Sequence, residues 1–361
     1  MLPLVNDAFE TLKPYSPGKP VAETERELGI KGVIKLASNE NPFGPSPRAM
    51  EAMRAALPQL HDYPDASCHY LRERLATFLG VRAAQLIIGN GTNELIELLV
   101  RTCLRPGENL LFASPSFIVY KLITQAMGEA VHEVPLKDMK FDLPALAGAV
   151  DERTKLLFIA NPNNPTGTYV TKTELDAFLA QVPPHVIVVM DEAYFEYAVA
   201  PDYPNGLDYL ARRERFMVMR TFSKCYGLAG VRVGYAVGHP ALVDYMNRGR
   251  QPFNVNSLAQ VAALAALDDV EHVSLSRQKN RAGMETLVPA LTKRGLTVTP
   301  SQANFVLVDF HRPIGPVFDA LLKQGVIVRP VDNYGLPTSA RITIGTEAQN
   351  LRLIEAIDRI S

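Results

Sequence analysis

Lys224 stands where an apolar run ends, in the segment Thr221-Phe222-Ser223-Lys224-Cys225-Tyr226-Gly227-Leu228-Ala229-Gly230-Val231-Arg232. A lysine at the end of a buried strand is costly to desolvate as a cation. Burial lowers its pKa and frees the amine to attack a carbonyl, the basis of Schiff-base chemistry. Ser223 and Arg232 add a hydroxyl and a fixed cation, both suited to a phosphate. Taken by itself, the segment reads equally well as a loop lysine with a solvated head. Three further segments bear on the choice. Ala160-Asn161-Pro162-Asn163-Asn164-Pro165-Thr166-Gly167 follows an apolar run, though its composition is also that of a plain turn. Val188-Val189-Met190-Asp191-Glu192-Ala193-Tyr194 puts a carboxylate at the C-terminal end of a buried strand, the edge at which open α/β sheets bind ligands. A lone Asp there equally suits the cap of a following helix. Gly89-Asn90-Gly91-Thr92-Asn93-Glu94 is a tight turn opening a helix, whose free N–H groups and dipole suit an anion.

These groups must be positioned by the elements around them. From residue 85 the chain alternates short apolar runs with helical stretches. Gln85–Ile88 reads as a strand leading into a helix over Asn93–Leu104. Asn109–Ala113, Lys155–Ala160, Val186–Met190, Phe216–Thr221 and Val231–Val237 read as further strands. Such runs, without clean alternation, suit strands buried on both faces, hence a mostly parallel sheet between helices. After a helical region at Ser257–Leu267 and Glu271–Lys293 the pattern changes. Leu296–Thr299, Ala303–Phe310, Val326–Val331 and Arg341–Ile344 predict a smaller sheet, with helices near Pro316–Lys323 and Glu347–Ile360. The expected organisation is an α/β protein with a large domain over 45–270. A smaller α/β domain would be built from 1–44 and 271–361.

Composition excludes several function classes. The chain has 361 residues, 47% hydrophobic and 21% charged, too long for one compact core. Net charge is −1, from 37 basic and 38 acidic residues, so neither nucleic acid nor an anionic membrane is expected as a partner. Cys68, Cys103 and Cys225 lack paired spacing, and the seven histidines lack helical metal-site spacing. A reducing compartment without a structural metal is the expectation. No apolar stretch approaches the roughly 20 residues that span a bilayer. No basic segment followed by an apolar run and a cleavage site is seen near Met1, so the expected location is cytoplasmic.

The order of these motifs resembles the fold-type-I aminotransferases that depend on pyridoxal 5′-phosphate. Within that group it is similar to the histidinol-phosphate aminotransferases of class II. Supporting segments are Leu12-Lys13-Pro14-Tyr15-Ser16-Pro17-Gly18-Lys19-Pro20, Leu36-Ala37-Ser38-Asn39-Glu40-Asn41-Pro42, Tyr63-Pro64-Asp65 and Gln251-Pro252-Phe253-Asn254-Val255-Asn256. The resemblance implies that Lys224 carries the cofactor covalently and later shuttles a proton. Asp191 would pair with the ring nitrogen, while Tyr194 and Asn164 would hydrogen-bond the ring's phenolic oxygen. Phe117, in Pro115-Ser116-Phe117, matches the aromatic that stacks on the ring, keeping the stacking without a polar handle. Gly91, Thr92, Asn93, Ser223 and Arg232 would form the phosphate cup. Tyr63 matches a tyrosine that reaches the phosphate from a second subunit, which implies a homodimer with a shared active site. Arg341 would bind a substrate carboxylate. Arg329, Tyr15 and Asn39 complete the matching substrate contacts. The implied reaction transfers nitrogen from L-histidinol phosphate to 2-oxoglutarate, giving imidazole-acetol phosphate and L-glutamate, a step of histidine biosynthesis.

Other readings predict different chemistry. A nicotinamide dehydrogenase would place the third glycine of its fingerprint at Glu94, whose carboxylate repels a pyrophosphate. A transcription regulator on the same fold needs an attached DNA-binding domain, for which the residues before Leu36 are too few. An aromatic (phenylalanine) aminotransferase and a decarboxylase of phosphorylated amino acids would use the same Lys, Asp and Tyr. Only their substrate contacts differ.

Overall fold

The computed structural model describes residues 4–5, 7–10, 12, 14 and 18–360. Thirteen strands are described: β1 (Ile34–Lys35), β2 (Leu86–Gly89), β3 (Asn109–Ser114), β4 (Ala130–Pro135), β5 (Thr154–Ala160), β6 (Ile187–Asp191), β7 (Phe216–Thr221), β8 (Gly234–Gly238), β9 (Thr297–Thr299), β10 (Phe305–Asp309), β11 (Val326–Ile327), β12 (Arg329–Pro330) and β13 (Ser339–Thr343). Seven of them form one sheet in the order β2-β8-β7-β6-β5-β3-β4. The pairs from β7 through β4 are parallel, and β8 runs antiparallel to both neighbours. The sheet is therefore mixed and mostly parallel, with helices on its faces, as the unalternating apolar runs predict.

Its interior strands are buried along their length: all five residues of β6 and all six of β7. Full burial of a side chain such as Phe158 or Val188 stabilises by about 1.5–3 kcal/mol. One apolar cluster joins β3, β5, β6 and β7 to the helix Thr92–Cys103. A second joins β2 and β8 to the helices Pro47–Ala56, His69–Leu79 and Ser257–Leu267. A third gathers around β10, β13 and the helices Ile314–Lys323 and Glu347–Ile360. That cluster covers the four-stranded sheet β12-β13-β10-β9, beside which β1 and β11 pair in parallel.

Three expectations need correction. The strand expected at Val231–Val237 starts only at Gly234, because Ala229–Val231 is a 3₁₀ turn and Arg232 has φ 64°. The expected strand Val326–Val331 is two strands in different sheets: β11 pairs with β1 and β12 with β13. The strand β4 went unread; it is an edge strand, more exposed than its neighbours. No helix among the described residues is long and apolar enough to cross a membrane.

Candidate active site

Three parallel strands end side by side, and the loops that leave them carry candidate side chains. Ala160 of β5 lies opposite Asp191 of β6, and Asp191 opposite Met219 of β7. Beyond those ends lie Asn164, Tyr194 and Lys224, one from each loop. They face a cavity of about 280 Å³, closed on its other side by Arg329 and Arg341 and by residues 37–40. Thr92, Asn93, Phe117, Asn164, Asp191, Tyr194, Ser223, Lys224, Arg232, Asn39, Arg329 and Arg341 all line it. Gly91 caps the helix Thr92–Cys103 just behind. Tyr63 does not reach the cavity of its own chain: it is 82% exposed, stacked on Phe253 at 4.7 Å. Tyr15 lies outside the described residues.

Lys224 Nζ donates to the Ser38 carbonyl at 3.3 Å and sits 5.7 Å from the Tyr194 ring centre. Burial is the main cause that lowers its pKa, to about 8, with Arg341 and Arg232 adding to the effect. The amine is therefore available near neutral pH. Asp191 is driven the other way, its pKa raised mainly by burial. Two hydrogen bonds hold its charge in place: the Tyr120 hydroxyl donates to Oδ2 at 2.6 Å and the Ala193 N–H to Oδ1 at 3.2 Å. Tyr194 is pushed up to about 12, chiefly by burial, and accepts from Asn39 Nδ2 at 2.9 Å.

The opening of the helix Thr92–Cys103 is built differently from a self-contained helix start. At Lys172–Leu179 the Thr171 and Glu174 side chains cap the free N–H groups reciprocally. Here the cap is Gly91, with no side chain to offer, so the first-turn N–H groups remain for a ligand. Glu94 folds back instead, accepting from the Asn90 N–H and from Asn254 Nδ2, both at 2.6 Å. Gly91 has a second use: at φ 77°, a Cβ there would lie 2.5 Å from Arg232 Nη2. Glycine lets the guanidinium close over the helix start, making one positive concavity of Thr92, Asn93, Ser223 and Arg232.

Arg329 and Arg341 are partners across β12 and β13, so two guanidiniums enter the cavity from adjacent strands. Arg341 is buried; Nη1 donates to Asn164 Oδ1 and Nη2 to the Ala37 carbonyl, both at 2.6 Å, while Nε has no partner. Lys224, Arg232, Arg329 and Arg341 outnumber the two lining carboxylates, Asp191 and Glu40. The cavity favours anionic ligands.

Sequence reasoning overlooked Tyr120 and the carbonyls of Ala37 and Ser38. Tyr120, in the first turn of the helix Val119–Ala126, follows Phe117 by three residues and touches it edge-on at 5.5 Å. That spacing was its only sign. Backbone carbonyls leave no residue-type signature at all.

Comparison with known proteins agrees with this geometry. Residues 31–357 match the family model for aminotransferase class I and II. The chain is 50% identical to histidinol-phosphate aminotransferase 2 of Pseudomonas fluorescens, covering 99% of this chain and 98% of that one. It is also 50% identical to histidinol-phosphate aminotransferase of Moorella thermoacetica, covering 99% and 93%. Among solved structures, histidinol-phosphate aminotransferase of Sinorhizobium meliloti in complex with pyridoxal 5′-phosphate superposes with a TM-score of 0.90 at 28% identity, over 99% of this chain and 98% of that one. Sheet order, strand-end site and sequence lead to one assignment: the chain belongs to the class I and II aminotransferases and groups among them with the histidinol-phosphate aminotransferases.

Proposed function

We propose that this enzyme uses pyridoxal 5′-phosphate to move an amino group from L-histidinol phosphate to 2-oxoglutarate, yielding imidazole-acetol phosphate and L-glutamate. The observation that carries the substrate class is the pair Arg329 and Arg341 on neighbouring strands, facing the Lys224 amine across one cavity. Glutamate presents a second carboxylate and histidinol phosphate a phosphate, so one anion pocket serves both partners in turn.

The residues present fit the cofactor. The uncapped helix start, Ser223 and Arg232 suit its phosphate, and the Gly91 position leaves the room that Arg232 needs. Asp191, buried and accepting from two donors that favour its carboxylate form, suits the protonated ring nitrogen, and Phe117 offers a face for stacking. When bound, pyridoxal 5′-phosphate supplies an aldehyde carbon and an electron-withdrawing ring. Lys224 Nζ would act as the base at the substrate Cα and would carry that proton across the intervening nitrogen to the carbon supplied by the aldehyde. Asp191 keeps the ring nitrogen protonated, while Tyr194 and Asn164 orient the phenolic oxygen. Arg341 fixes the substrate carboxylate, and Arg329 with Tyr15 and Asn39 holds the far end.

The proposal extends to organisation. The enzyme is a cytoplasmic homodimer in which Tyr63 completes the phosphate site of the partner. The large domain spans 45–270, and 1–44 with 271–361 make the small one. The separate apolar clusters around the seven-stranded and four-stranded sheets support that division.

A donor comparison tests the substrate. Histidinol phosphate should exceed histidinol, phenylalanine and threonine phosphate in kcat/KM. Arg329→Ala should cost roughly ten- to a hundredfold with histidinol phosphate, and much less with phenylalanine. A phenylalanine preference insensitive to Arg329→Ala would point to the aromatic enzyme. Carbon dioxide released without a keto acceptor would point to the decarboxylase.

A further inference from the structure

A second cavity, of about 520 Å³, lies apart from the Lys224 site, between the sheet and the helix Val270–Thr292. Its walls are aromatic: Phe78, Phe195, Tyr203, Tyr226 and Tyr235. Two carboxylates belong to this region, Glu192 behind the wall and Glu196 on the lining, against one buried guanidinium, Arg220. Arg220 is already committed. It pairs with Glu192 at 2.8 Å, donates to Asn205 Oδ1 at 2.7 Å and stacks on Phe195 with its guanidinium carbon 3.4 Å from the ring centre. Glu196 is left over, and its Oε2 is buried without a hydrogen-bond partner. Arg277 is exposed and stands at the rim, where water screens it. One carboxyl in the aromatic lining is therefore left with an oxygen that no hydrogen-bond donor satisfies. Burial raises the Glu196 pKa to about 7, and the attraction of Arg220 and Arg277 offsets this only in part, so a bound cation would favour its charged form.

We propose that this cavity is a binding site for a small organic cation with an apolar or aromatic body. Glu196 supplies the charge, and the ring faces supply cation–π and apolar contact. An anion is disfavoured, since among the described residues the lining cations are Arg220, paired with Glu192, and Arg277 at the rim. The site does not share its lining with the Lys224 cavity.

The test uses holoenzyme and benzyltrimethylammonium, which has no primary amine to transaminate and no anion for Arg341. Titration calorimetry should show one saturable site per subunit, and benzenesulfonate of similar size should show none. Glu196→Gln should weaken binding about tenfold or more. Val199 lines the mouth and is exposed, so Val199→Trp should block entry and leave the fold intact. Arg341→Ala should leave the affinity unchanged. Absence of binding at millimolar probe overturns the proposal. So does equal affinity for benzenesulfonate, binding that survives both Glu196→Gln and Val199→Trp, or binding lost only in Arg341→Ala.

Discussion

Free amine, not ammonium, attacks a carbonyl, and the surroundings of Lys224 hold that form within reach. Burial acts first, then the charge of Arg341; Glu40 opposes them in favour of the ammonium, and the smaller effects of Arg232 and Asp191 run in opposite directions. With a pKa of about 8, roughly one-tenth of the side chain is neutral at pH 7, against under about one in a thousand for an ordinary lysine. Trapping of pyridoxal 5′-phosphate on apoenzyme by borohydride should therefore quicken about tenfold from pH 6 to pH 7 and level off above about pH 8. Arg341→Ala removes a neighbouring cation and should move that midpoint upward. A rate still climbing at pH 10 would show that the amine is not held this way. Lys224→Ala should form no adduct and lose turnover. Asp191 depends on a neighbour as well. Tyr120, its own pKa driven well above 10 by burial and by Asp191, stays protonated and must donate. Tyr120→Phe strips one oxygen of its donor, a loss of about 1.5–3 kcal/mol for a bond to a charge. Turnover should fall about tenfold or more. Asp191→Asn, which removes the charge itself, should cost orders of magnitude. Near-normal turnover in Asp191→Asn would reduce that carboxylate to a cap on the Ala193 N–H.

The loop after β7 works because another segment leaves room for it. Gly227 has φ 71°, and a Cβ there would stand 2.1 Å from the Gly44 carbonyl oxygen, a backbone atom that cannot swing aside. Gly227→Ala thus combines left-handed strain with a backbone collision and should cost about 2 kcal/mol or more. Gly230, three residues on, has open space around its Cβ direction and a φ outside the positive range, so Gly230→Ala is the matched control. Thermal melts of the two variants should separate widely; equal melting temperatures would mean that the Gly44 segment gives way. The same contrast between crowded and open surroundings sets what a sequence can reveal. β6 and β7 were legible because strands buried on both faces need unbroken apolar runs. β4 was not, since it pairs only with β3 and carries His132 and Glu133. The division between β11 and β12 was not legible, because the apolar run Val326–Val328 continues past the end of β11 right up to Arg329, where β12 begins. Lys224 and Asp191 stood out as ionisable groups at apolar strand ends. Tyr120 looked like any aromatic on a helix packed against the sheet, and nothing short of the fold could show its hydroxyl aimed at Asp191.

At the scale of the whole molecule, one motif residue is misplaced for a single chain to use. Tyr63 lies out in solvent on Phe253, and Leu57 and Leu60, both about half exposed, lie nearby in sequence. Large exposed apolar side chains in the same stretch of chain as a motif tyrosine suit burial against a second copy. In a twofold dimer each subunit would then lend its Tyr63 to the other's phosphate site. Subunit mixing tests this directly. Lys224→Ala and Tyr63→Ala homodimers each carry the same defect in both sites. If Tyr63 acts across the interface, a mixed dimer has one site with both defects and one with none. Random reassortment makes about half the dimers mixed, so activity should recover to about a quarter of wild type. If Tyr63 serves its own subunit, every site in the mixture keeps one defect and activity stays at the level of the parents. Size-exclusion chromatography on the same samples separates the remaining case. A monomeric enzyme with full turnover would leave Tyr63 a surface residue.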